Sequence, residues 1–139
     1  MKTTAKRSLK PCTDFLGLDT ETVEGYARIL CLSDGRVFEF NKPSDVIYFL
    51  TSFKLVTKTY FFAWNADFDI QALLKWLPKK LCRILLKGIE TILETDGEGH
   101  GISLQYIKGK FLQFDGNYIF DALQYYGTSL KEASVKYLP

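Results

Sequence analysis

Apolar positions recur along this chain with two periods, and the switches between them mark out its elements. From Asp14 the rhythm is that of strands: Phe15 to Asp19, then Tyr26 to Leu32, then Arg36 to Phe40. Glu24-Gly25 and Asp34-Gly35 separate them, and Asp-Gly between apolar runs is a strong hairpin signal. Three short strands in a meander are predicted. Pro43-Ser44-Asp45 then starts a helix whose apolar face is Val46, Ile47, Phe49, Leu50 and Phe53. Thr59 to Trp64 is a continuous apolar run of strand length. Asn65-Ala66-Asp67 punctuates it, and Phe68 to Leu77 returns to helical spacing through Ile70, Leu73, Leu74 and Leu77.

Beyond a short basic helix, Ile89 to Thr95 and Ile102 to Phe114 read as two strands. The loop Asp96-Gly97-Glu98-Gly99-His100-Gly101 parts them. Asp121 to Tyr126 and Ser129 to Leu138 read as helices, Ser129 and Glu132 having capping-box spacing. The order β-β-β-α-β-α-(α)-β-β-α-α predicts an α/β fold, a mixed sheet with helices packed on it.

Composition narrows this picture only a little. A length of 139 residues fits one domain, and 47% hydrophobic with 24% charged residues is ordinary for a soluble protein. Residues 1–13 read as a basic N-terminal arm and 14–139 as the domain. The arm lacks the apolar core of a secretory signal, and no stretch approaches a membrane span, so an intracellular protein is expected. Cys12, Cys31 and Cys82 are odd in number and widely spaced, which argues against a disulfide framework or a zinc site. The net charge of +2 decides nothing about partners, since a local basic patch acts without a basic total.

Candidate chemistry lies in the acids. In Leu18-Asp19-Thr20-Glu21-Thr22, strand alternation puts Asp19 and Glu21 on one side and Thr20 on the other. Two carboxylates on one face repel, and a hard divalent ion such as Mg²⁺ would relieve that repulsion. Alone, the pair equally well begins a solvated turn. Asp69 falls in the first turn of the helix after Asn65-Ala66-Asp67, where the helix dipole favours its charge. Asn65 or Asp67 alternatively caps that helix. Both acidic elements follow strands expected at the centre of the sheet, so their ends can meet in one crevice. Three converging carboxylates suit two-metal phosphodiester hydrolysis.

These segments resemble the motifs of the DEDD 3′→5′ exonucleases. Leu18-Asp19-Thr20-Glu21-Thr22 is similar to the first motif (D-x-E), and Asn65-Ala66-Asp67-Phe68-Asp69 to the second (N-x-x-F-D). Tyr118 to Tyr126, followed by Ser129-Leu130-Lys131-Glu132, resembles the stretch before the third. The likeness is to the proofreading domain of protein-primed family B DNA polymerases. It implies a ribonuclease H-like fold and a metal-dependent 3′→5′ exonuclease acting on the 3′ end of single-stranded DNA. It implies that Asp19, Glu21 and Asp69 hold two divalent cations, Mg²⁺ or Mn²⁺. It further implies that Thr22, Asn65, Phe68 and Leu123, with Ser129 and Leu130, line the channel for the strand. Implied partners are a polymerase domain or a terminal protein.

The sequence departs from the family at one place. The fourth carboxylate, with a Tyr or His shortly before it, belongs beyond this late region. After Asp121 the chain has one acid, Glu132, and no Tyr-x-x-x-Asp. Two expectations follow: a piece of a longer polymerase, or a catalytically incomplete module that binds single-stranded DNA or a replication partner. Asp121 is a further candidate acid, although its position before a predicted helix also suits a cap. His100 sits in a Gly-rich loop and is expected in solvent. Most aromatics read as core, with Phe68 and one of Tyr125 or Tyr126 as stacking platforms. Lys75, Lys79, Lys80, Arg83 and Lys87 form a basic cluster that either tracks a nucleic-acid backbone or is a solvated helix face.

Overall fold

A computed structural model of the chain describes residues 13–53, 58–95 and 98–122. The basic arm, Cys12 and the predicted helices after Ala122, with Leu123, Ser129 and Leu130, lie outside them. Eight strands and three helices are described: β1 (Thr13–Val23), β2 (Tyr26–Leu32), β3 (Val37–Glu39), α1 (Pro43–Thr51), β4 (Lys58–Ala63), α2 (Ala66–Leu74), α3 (Lys79–Leu86), β5 (Thr91–Glu94), β6 (Gly101–Ile107), β7 (Phe111–Phe114) and β8 (Asn117–Asp121). All strands join one sheet in the order β3-β2-β1-β4-β8-β7-β6-β5. β1 with β4, and β4 with β8, run parallel; every other pairing is antiparallel. The sheet is therefore mixed, as the element order implied.

Hairpin chemistry accounts for the antiparallel wings. At Glu24-Gly25 and Asp115-Gly116 both central residues have positive φ, the backbone of a type I′ turn that matches strand twist. Asp115 is fixed there from both sides: its N–H donates to Ser103 O, and Ser103 N–H donates to its Oδ1, each at 3.0 Å. A further turn corrects one expectation. The run from Ile102 to Phe114 is not one strand; the turn at Lys108 to Lys110 divides it into β6 and β7. Asn117 to Asp121 then forms an additional strand; Asp121 ends it and directly precedes Ala122, which is helical, so its predicted place before a helix holds.

The strand register separates two faces. On one, Leu18, Leu30, Phe61, Ile119, Leu112 and Tyr106 are buried in succession across six strands. α1 docks there through Phe49, whose ring meets Phe61, Phe114, Phe40 and Phe53 at centroid distances of 5.4 to 6.2 Å. α2 packs on the same face beside β1, β2, β4 and β8, while α3 lies against β5 and β6. α1 is started by Pro43, and Asp45 Oδ2 accepts the N–H groups of Asn41 and Lys42 at 2.8 and 3.2 Å. The opposite face carries Phe15, Tyr60, Phe62, Phe111, Tyr118 and Phe120 in a continuous aromatic ladder, and Phe15 is 64% exposed.

Buried polar groups on the helix-covered face are all satisfied among the described residues. Asn117 is the main example. Its Oδ1 accepts Thr59 N–H at 2.9 Å, and its Nδ2 donates to Phe53 O and Phe114 O at 3.0 and 3.2 Å. One side chain thus ties β4, β7 and the end of α1 together. Among the described residues, no helix is long and apolar enough to cross a membrane.

Candidate carboxylate site

β1, β4 and β8 are the third, fourth and fifth strands of eight, so the acids that follow or end them stand at the sheet's centre. Carboxyl ends of parallel strands form the crevice where open α/β sheets bind ligands. Asp19 lies late in β1, paired with Cys31 of β2. Asp121 ends β8 opposite Ala63, the last residue of β4. Three residues on from Ala63, α2 begins and carries Asp69 in its first turn.

Asp69 is the most unusual of these groups. It is only 5% exposed, as Asp121 is at 6%. Thr20 Oγ1 donates a hydrogen bond to Asp69 Oδ1. Burial pushes the Asp69 pKa above the ordinary carboxylate range; the Thr20 bond opposes this, and the charges of Asp19 and Asp121 add to the rise. Asp19 and Asp121 therefore both add to the cost of ionising Asp69.

The geometry also divides the acids. Asp19 and Glu21 project from the exposed face of β1, whereas Thr20 faces α2 and holds Asp69. Asp69, Asp121 and Thr20 gather on the helix side, Asp19 reaches them through its field, and Glu21 stands in solvent just before a bulge at Glu21/Thr22. Among the described residues, no three acidic, His or Cys side chains are grouped so that they could hold a metal ion.

Other candidates fall as follows. Asn65 occupies the N-cap of α2 with φ 57°, yet its side chain makes no capping bond. Asp67 does not cap either. Its Oδ1 accepts Tyr106 OH at 2.6 Å and Gly109 N–H at 2.9 Å, which fastens α2 to the β6–β7 turn. Gln71 Nε2 donates to the same Tyr106 oxygen at 3.2 Å. Burial, followed by the bond to Asp67, pushes the Tyr106 hydroxyl far above the usual phenol range. Phe68, beside Asp69, is 58% exposed, and Thr22 is half-buried opposite Ala27. His100 is exposed, as expected. Sequence inspection gave Thr20 no role; its even position in β1, in phase with buried Leu18, was the available signal. No family model, curated protein or solved structure matches the chain.

Proposed function

We propose that this chain is a metal-dependent 3′→5′ exonuclease unit of ribonuclease H-like fold, acting on the 3′ end of single-stranded DNA. One observation carries the proposal: a nearly buried carboxyl, Asp69, sits at the carboxyl ends of the central strands within the fields of Asp19 and Asp121. Structural ion pairs lower the pKa of a buried acid; here burial raises that of Asp69, and the charges of Asp19 and Asp121 add to the rise. Such a concentration of negative charge is costly for the fold, and that cost supports the functional reading. The motif resemblance supports the same residues.

In this proposal Asp19, Asp69 and Glu21 hold the cations, with Asp121 adding charge. A bound ion would supply an activated water and charge neutralisation in phosphodiester hydrolysis. Thr20 orients Asp69, and exposed Phe68 offers a flat apolar surface to the terminal base. Ion binding is the part that the described geometry does not supply, so it is measured directly. Mn²⁺ titration of the wild type should show saturable binding that Asp19→Ala weakens at least about tenfold, a loss of ~1.4 kcal/mol. Degradation of 3′-labelled single-stranded DNA with Mg²⁺ or Mn²⁺ should fall by about a hundredfold or more in Asp19→Ala. Equal degradation by both chains would remove Asp19 from the site.

A second function has an observation in its favour. Asp19 and Glu21 leave β1 on the face opposite Thr20 and Asp69. A module that binds single-stranded DNA or a replication partner without hydrolysing it would retain the fold with its acids so divided. Strand binding with no degradation by either chain would select it.

A further inference from the structure

A groove of about 610 Å³ runs beside the carboxylates between the β1–β2 turn, α2 and α3. Its floor is apolar, with Ala72 and Leu86 among its lining residues, and Leu86 is 58% exposed although leucine favours the interior. Two aromatic rings border it, Tyr26 from the hairpin and Phe68 from α2. Lys75 is committed to the wall: its Nζ donates to Glu24 O at 3.0 Å and lies 4.7 Å from the Tyr26 ring centroid. Lys79 and Arg83, one turn apart on α3, are exposed at the rim. Among the described residues the ion pair formed is Arg36 with Asp34, so neither rim cation has a carboxylate partner.

We infer that this groove binds the single strand upstream of its 3′ end, bases against Tyr26 and Phe68 and phosphates on Lys79 and Arg83. The inference rests on the exonuclease proposal for its direction, because Phe68 adjoins Asp69 and Tyr26 lies just beyond Glu21 and Thr22 on the hairpin. The occupant is chosen by chemistry. Flat apolar surface bordered by unpaired cations complements a chain of bases linked by phosphates. The volume lies in the range of pre-formed ligand sites and admits more than one base. An acidic peptide shares the charge but has no planar groups to stack.

The test is fluorescence anisotropy of a short fluorescein-labelled oligothymidylate with chelator present, so that hydrolysis plays no part. The double variant Lys79→Glu/Arg83→Glu should bind at least tenfold more weakly, and the slope of log affinity against log salt should fall by about two. Both side chains are exposed, and circular dichroism should show an unchanged fold; Lys79→Gln/Arg83→Gln should give an intermediate loss. Wild-type affinity and slope in the double variant, or no binding by the wild type, would overturn the groove. A polyglutamate peptide competing as well as unlabelled oligothymidylate would overturn it too. Groove-dependent binding without any nuclease activity would sink the exonuclease proposal and leave the groove standing. Hydrolysis with a charge-insensitive affinity would do the reverse.

Discussion

Asp69 is where charge, burial and function meet in a single side chain. Because its pKa is raised on folding, the folded chain keeps a proton there that the unfolded chain has released above about 3.8. The stability linked to that proton is present below the unfolded value and is lost as pH rises through the folded pKa. Asp69→Asn keeps an acceptor for Thr20 and removes the charge. At pH 7 it should raise the thermal midpoint by about 2–4 °C, on the order of 1 kcal/mol, with the gain disappearing near pH 3. Saturating Mn²⁺ should then stabilise the wild type and not the variant. Asp67, two residues earlier, behaves oppositely. Asp67→Ala strands a buried Tyr106 hydroxyl donor and the Gly109 N–H, and should cost about 2–4 kcal/mol in urea unfolding. Sequence alone could single out the acids of Asn65-Ala66-Asp67-Phe68-Asp69 but could not divide their labour. That division depends on Tyr106, which is 39 residues away from Asp67.

At the scale of elements, most boundaries are set by local signals, and one such signal is easily overlooked. Tyr26–Leu32 is found as expected, and α1 starts at Pro43, because alternation, turn residues and a proline at the first helical position act locally. Asp115-Gly116 is the same kind of hairpin signal as Asp34-Gly35. The predicted strand already ended at Phe114 just before it, and the short run Tyr118-Ile119-Phe120 beyond it is too brief to stand out as a strand of its own. β1 also runs past its last apolar core residue, Leu18, to Val23, since pairing with β2 holds the acidic positions extended. β5 offers a direct test of edge pairing. A Cβ on Gly101 would lie 2.8 Å from Leu93 O and 2.7 Å from Ile92 Cγ2, so Gly101→Ala must push β5 away from β6. A loss of about 1–3 kcal/mol is expected, with faster amide exchange confined to Thr91–Glu94. Unchanged exchange there would mean that β5 tolerates the contact by shifting as a unit.

The whole molecule is tied together by rings more than by charges. Phe49 reaches Phe38 and Phe40 in the meander region, Phe61 in β4 and Phe114 in β7, so one α1 side chain spans both antiparallel wings and the parallel centre. The sequence supplied the abundance of Phe and Tyr but not this convergence, which depends on strands far apart in the chain becoming neighbours. A ring so placed should couple the unfolding of the wings. Phe49→Ala leaves a cavity at the junction and should cost about 3–5 kcal/mol. With Trp64 replaced by Phe, Trp76 alone reports on the hairpin side, since its indole N–H donates to Ala27 O at 2.7 Å, while far-ultraviolet dichroism reports on all elements. If the junction makes the domain one cooperative unit, both probes should move to lower denaturant together and remain coincident. A tryptophan transition left in place while the dichroism shifts would show that the β1–β2–α2 side, and with it the carboxylate site and the groove, unfolds independently of the β5–β7 wing.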